Sequence, residues 1–278
     1  MSGEAYLGMR PGDLEDKPYA RYWNPDMKGL SSQVAQALMQ SPFPDCYGFA
    51  PDQCHQLLLP GHLPLENGYT QLKTGEMFVA VNTPMPGASG AMIDWWFAWH
   101  GEESQRYKLW HPHAHMKARW KHPVPTDAAT DRERYVGNTS YVDEYIGDDK
   151  MRLAIQFRSP AEFGLDVSRF AEAGVQTAVC AEVGPARGAF NVGKLVHLIR
   201  ETEDGCEMRS RFWLGKVALR DKPRSHVANR VLGSGLISKV AVRRELGHDM
   251  VVHCAMEMAH LASFLPSLYA DYHGPAHA

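Results

Sequence analysis

The stretch Met250-Val-Val-His253-Cys254-Ala-Met-Glu257-Met-Ala-His-Leu-Ala-Ser-Phe-Leu265 decides how this chain reads. Positions i and i+4 share one face of a helix, so His253 and Glu257 put an imidazole and a carboxylate on the same side. Their neighbours are Val, Met, Cys, Ala and Leu, which predicts a buried or half-buried helix. A carboxylate placed there without a counter-charge is costly or protonates. A divalent metal is the simplest positive partner. Cys254 points about 100° away from His253 on such a helix and reads as packing.

Working outward, the helix is expected over roughly Leu236 to Tyr272, with breaks at Gly247 and Pro266. Upstream of it, strand-like stretches recur at Thr139–Tyr145, Arg152–Arg158, Val175–Val183, Lys194–Arg200 and Cys206–Leu214. Turn signals such as Gly147-Asp-Asp149 and Glu203-Asp-Gly205 separate them, as in an antiparallel meander. An earlier strand is expected over Glu76–Thr83, ended by Pro84-Met-Pro86-Gly87. Ser89 to His100 is apolar and short, compatible with strand or helix; Ser89 as a cap and Gly101 as a stop favour a helix. One strand, short helices, a run of antiparallel strands and a long last helix is the order of an α+β helix-grip fold. There a curved sheet wraps the final helix and leaves a cavity between them.

The first 75 or so residues are rich in Pro, Gly and Asp and read as irregular. Two short helices are expected within them, one after Ser31-Ser32 and stopping at Pro42, the other from Pro51-Asp52 to Pro60. Residues 1–75 are thus expected to pack on the main body or on a second subunit, and residues 76–278 to form the helix-grip domain.

Composition limits the function classes. A net charge of −3 over 278 residues gives no electrostatic footprint for nucleic acid or an anionic membrane. No apolar run approaches the roughly 20 residues that span a bilayer, and Met1-Ser-Gly-Glu-Ala-Tyr6 does not resemble a signal peptide. The five cysteines form no CxxC, which fits a reducing compartment. A soluble cytoplasmic protein is expected. HExxH, GxSxG, a Rossmann fingerprint and a P-loop are all missing from the sequence.

Histidine is the compositional outlier, with 14 residues. In Tyr107-Lys-Leu-Trp110-His111-Pro-His113-Ala-His115, two-residue spacing can set alternate imidazoles on one side of an extended segment; a solvated loop is the plainer reading. In Tyr141-Val-Asp-Glu144-Tyr-Ile146, strand alternation puts Glu144 on the aliphatic face with Val142 and Ile146. In Leu195-Val-His197-Leu-Ile199 both faces are apolar, so His197 is expected to be buried, as a core residue or as a catalyst. His115, Glu144, His253 and Glu257 together form a donor set that suits a borderline ion such as zinc.

The strings Lys17-Pro-Tyr-Ala-Arg-Tyr-Trp23, Asp94-Trp-Trp-Phe-Ala-Trp-His100, Arg106-Tyr-Lys-Leu-Trp-His-Pro112 through His115, Val142-Asp-Glu-Tyr-Ile-Gly147 and His253 through Glu257 resemble the 2,4-diacetylphloroglucinol hydrolase and phloretin hydrolase family. They run through nearly the whole chain in the same order. The resemblance implies a helix-grip (Bet v 1-like) catalytic domain, an N-terminal region that contributes to a homodimer, and one zinc ion per chain. It implies His115, Glu144, His253 and Glu257 as the zinc ligands. His115 is favoured over His113 because Tyr107 then keeps the spacing of the family's substrate-contacting tyrosine. His197 falls on the family's catalytic histidine. Two positions depart from the pattern: Phe212 stands at or beside the second phenol-contacting tyrosine, and Ala118 where the family has a polar Asn. The implied reaction is hydrolysis of the carbon–carbon bond between an acyl group and a phenolic ring, with a small phenolic ketone as substrate. Competing expectations are a non-catalytic helix-grip carrier of hydrophobic ligands and a non-haem iron oxygenase.

Overall fold

A computed structural model describes residues 9–125, 127–220 and 243–274. Eight strands form one antiparallel sheet: Gly68–Gln71 (β1), Met77–Pro86 (β2), His115–Trp120 (β3), Thr139–Ile146 (β4), Asp149–Arg158 (β5), Val175–Pro185 (β6), Phe190–Thr202 (β7) and Gly205–Leu219 (β8). Their order across the sheet is β1-β2-β8-β7-β6-β5-β4-β3. Helices lie at Ser32–Gln40 (α1), Gly90–Trp99 (α2), Ser104–Trp110 (α3), Asp131–Tyr135 (α4) and Arg244–Tyr272 (α5). The curved sheet and the long α5 make the expected helix-grip arrangement.

Helix α5 is continuous over 29 residues, about 44 Å at the usual rise. The breaks expected at Gly247 and Pro266 do not occur. Gly247 is a packing glycine: a Cβ there would lie 2.7 Å from a Tyr69 ring carbon and 2.9 Å from the Met77 sulfur, so the helix can sit close on β1 and β2. Pro266 lies inside the helix, where tertiary packing of Leu265 and Leu268 outweighs the lost backbone bond. The expected start at Leu236 lies outside the described residues, and the helix is described from Arg244.

Both faces of the sheet are covered, which explains why β7 looks apolar on both sides. Leu195 and Ile199 join the large core around α2 and α5. Val196 and Leu198 belong to a second core with Phe49, Leu57, Phe78 and Trp213 on the outer face. That outer core is covered by residues before β1 and by Phe163, Leu165 and Phe170 between β5 and β6. The segment expected as a helix from Pro51 is a 3-10 helix, Pro51–Leu58. Trp213 Nε1 donates to the Phe49 carbonyl at 2.6 Å, and Arg200 donates to the carbonyls of Leu57, Leu59 and Gly61. Arg209 and Arg211, both fully buried, share the Glu66 carboxylate. The first expected helix forms as α1, capped where Ser31 Oγ accepts from Val34 N.

Strand β2 runs to Pro86, past the expected end at Thr83. Its pairing with β1 stops at Ala80, so Pro84 and Pro86 lie where one side of the strand is free. Strands β1 and β3 and the short helices α3 and α4 carry no strong sequence period and are additions from the structure. Helix α2 forms as expected, with Ser89 Oγ accepting from Met92 N.

Candidate active site

The site begins on α5. His253 and Glu257 are one helical turn apart, with His253 Nε2 3.6 Å from Glu257 Oε2. Both side chains are buried against the concave face of the sheet. Across from them, His115 opens β3 and pairs with Glu144 of β4 in the sheet register, just ahead of a bulge. His115 Nε2 lies 3.4 Å from Glu257 Oε2 and 3.6 Å from Glu144 Oε2. Strand alternation holds along β4, where Val142, Glu144 and Ile146 are all buried. Four side chains separated by up to 142 positions in the chain therefore converge in one place.

A backbone carbonyl orients the His115 imidazole. His115 Nδ1 donates to the Tyr107 carbonyl at 3.0 Å. The ring thereby presents Nε2 as a lone pair, as metal-binding histidines do. His115 Nε2 is sealed from solvent and has no hydrogen-bond partner. Donor atoms of His115, His253 and Glu257 all lie within 4.8 Å of one another, close enough to hold one metal ion. Glu144 borders the three, its carboxylate accepting from the Tyr107 hydroxyl.

Burial sets the electrostatics of the site. Burial pushes the Glu144 carboxyl up to about 7, against the opposing pull of its Tyr107 hydrogen bond. Burial and the neighbouring Glu144 carboxylate push Glu257 well above its ordinary range. Burial lowers His253 to about 4, and burial with the nearby His111 and His253 rings drives His115 well down. The imidazoles are thus neutral. Two neutral imidazoles and two buried carboxylates fit a divalent ion.

The histidine cluster is resolved by a turn. Backbone N–H groups of Ala114 and His115 both donate to the His111 carbonyl, so residues 111–114 are not extended and the alternate imidazoles do not share a side. His113 is exposed, while His111 is buried and stacks on His253 with ring centres 4.9 Å apart. Only His115 reaches the carboxylates. Tyr107 follows it closely: their rings are parallel at 3.8 Å.

Between sheet and helix lies a cavity of about 760 Å3, its open mouth included. Tyr107, Glu144, His253 and Glu257 form its polar end, and Val142, Leu153, Leu195, Leu214 and Met250 supply apolar wall. His197 also lines it, held between Phe97 and Phe212 and bonded through Nδ1 to Ser210 Oγ at 2.7 Å. Burial lowers His197 to about 3, so its imidazole is neutral at neutral pH. Phe212 faces the cavity with no hydroxyl to offer. Ala118 is buried in the core and is not part of the cavity lining; its backbone N–H donates to Ser104 Oγ. Ser140 and Ser210 escaped the sequence reading. A lone serine in a strand has no periodic signal, and only the strand register reveals its neighbours.

A family model described as "DAPG hydrolase PhiG domain" matches residues 49–270. The chain belongs to this DAPG hydrolase family. It is 33% identical over 269 residues to a 2,4-diacetylphloroglucinol hydrolase of Pseudomonas protegens, covering 95% of this chain and 87% of that one. It is 27% identical over 285 residues to a phloretin hydrolase of Eubacterium ramulus, covering 95% of this chain and 94% of that one. Among solved structures, a norcoclaurine synthase point mutant from Thalictrum flavum matches 72% of this chain and 98% of its own at 11% identity and a TM-score of 0.36. The DAPG hydrolase relatives span almost the full chain, so the residues of the site all lie inside the matched region.

Proposed function

We propose that the protein hydrolyses the carbon–carbon bond between an acyl group and a phenolic ring, with an acylphloroglucinol-like ketone as substrate. The observation that carries this reading is one apolar cavity lined by Glu144, His253, Glu257 and a separate neutral histidine, His197, with buried His115 beside both carboxylates. The names of the relatives support the reaction class. His115, Glu144, His253 and Glu257 would hold a zinc ion, which supplies Lewis acidity at the polar end of the cavity when bound.

The chemistry required of the chain follows from the substrate. A ring with hydroxyls beside the acyl group can move a proton from oxygen to ring carbon and become a β-diketone. Addition of water to the acyl carbonyl then breaks the ring–acyl bond; the acyl group leaves as a carboxylic acid and the ring as a phenolate. His197 Nε2 is the atom that moves protons in these steps, since a neutral imidazole can accept one and return it. Tyr107, turning its hydroxyl from Glu144 to the ring oxygen at the polar end, stabilises the charge that develops there. The aliphatic and aromatic walls orient the ring and exclude bulk water, and Phe212 grips the ring by contact alone.

The same reading takes residues 1–75 as a packing or dimerisation region and residues 76–278 as the catalytic domain of a cytoplasmic homodimer. Five cysteines without a disulfide support a reducing compartment, and among the described residues no helix is long and apolar enough to cross a membrane.

The test is incubation of zinc-loaded protein with a panel of acylphloroglucinols and related aryl ketones, oxygen excluded, following carboxylic acid release. Stoichiometric acid and deacylated phenol are expected. Binding without acid release would leave a carrier, and a requirement for oxygen would point to an oxygenase.

A further inference from the structure

The contact behind His197 carries an inference of its own, which rests on the hydrolase reading for its catalytic meaning. His197 and Ser210 are direct partners across the β7–β8 pairing. Both are buried, and Nδ1 meets Oγ at 2.7 Å. The cavity-lining ring thus commits Nδ1 to the protein and leaves Nε2 for a substrate.

We propose that Ser210 is a positioning residue that holds the His197 imidazole in a single orientation and follows its protonation state. A hydroxyl can donate to Nδ1 when Nε2 carries the proton, and accept from Nδ1–H when Nε2 is the lone pair or when both nitrogens are protonated. It needs only a rotation of one O–H bond. A carboxylate at this place would hold Nδ1–H permanently and favour the charged ring; an alkyl group would leave Nδ1 buried without a partner. The hydroxyl lets Nε2 take up and return a proton in either neutral tautomer with no other side chain moving. Burial keeps the resting ring neutral, in agreement with this role.

The experiment compares wild type with Ser210→Ala and Ser210→Thr, all zinc-loaded and checked for metal stoichiometry and circular dichroism. The first readout is the nitrogen-15 NMR pattern of the His197 ring, which needs no substrate. The second is steady-state turnover of an acylphloroglucinol. Ser210→Ala is expected to change the Nδ1 resonance and to lower kcat at least ten-fold with KM within about two-fold, and Ser210→Thr is expected to restore both. An unchanged ring spectrum, or a changed spectrum with wild-type kcat, overturns the proposal. If Ser210→Ala fails to fold, Ser210→Cys, close in volume and a weaker partner, is measured in the same way and judged by the same outcomes. Absence of turnover in the wild type counts against the hydrolase reading alone, because the ring spectrum still reports whether Ser210 sets the imidazole.

Discussion

Tyr107 lies flat on His115, the two rings 3.8 Å apart and within 4° of parallel, while its hydroxyl donates to Glu144. One side chain thus touches two members of the donor cluster and lines the cavity. Its carbonyl also fixes the His115 tautomer. The short helix α3 is therefore the support on which the polar end of the cavity is built.

Tyr107→Phe removes the hydroxyl and keeps the ring that packs on His115. Metal content should stay near wild type, while kcat falls by about 10²–10³, the usual cost of losing one donor to a developing oxyanion. Elemental analysis beside steady-state kinetics checks both halves. Wild-type turnover would mean that Tyr107 only supports the cluster.

Glu257→Gln should weaken metal retention through dialysis, because Glu257 is the carboxylate grouped with both histidines. Elemental analysis of the dialysed protein is the measurement. Unchanged stoichiometry would mean that the carboxylate pairs with something other than a metal.

His197→Ala should keep its metal, since His197 is not one of the clustered donors, and should lose turnover by about 10²–10⁴, the range for a general acid–base group. A zinc-loaded variant with undiminished turnover would remove that role.

Acid should destabilise the fold through buried histidines. His100 is lowered to about 4 and His197 to about 3 from an ordinary value of 6.5, both by burial first. Between those values and 6.5 the unfolded chain binds protons that the native protein does not, so stability falls as pH falls. Each histidine contributes about 1 kcal/mol per pH unit inside its window. Urea unfolding at pH 6 and pH 5 should therefore show a shallower pH dependence for His197→Gln than for wild type. Equal slopes would show that His197 does not resist protonation.

Glu66→Gln tests the outer face. Although burial pushes its carboxyl up, the Arg211 and Arg209 guanidiniums outweigh it and hold it at about 2. Neutralising it leaves two fully buried guanidiniums without their counter-charge, and removing one partner of a buried pair costs about 3–5 kcal/mol. A large drop in denaturation midpoint is expected, with kcat preserved at low temperature because the triad is on the face away from the cavity. A midpoint within experimental error of wild type would show that the two arginines find other acceptors.

Local pattern carried much of the reading. The i, i+4 pair on an apolar run placed His253 and Glu257 on one face of α5, and strand alternation put Glu144 inward with Val142 and Ile146. The meander and its closing helix followed from turn residues and periodicity, as these depend on neighbours within a few positions. Breaks at Gly247 and Pro266 were misjudged for the complementary reason. Intrinsic helix propensity disfavours both residues, yet close contact with Tyr69 and Met77 makes use of the glycine, and the buried flank of Pro266 outweighs its missing bond. The choice of His115 over its neighbours, the serine behind His197 and the Arg–Glu–Arg triad on the outer face depend on a turn, a strand register and a packed layer. Those bring together groups far apart in the chain, and no periodicity within a strand or helix records which distant residue will be opposite. Sequence alone thus determined that His253, Glu257 and Glu144 turn toward apolar surroundings; only the tertiary structure decided which face His197 takes and which side chains meet.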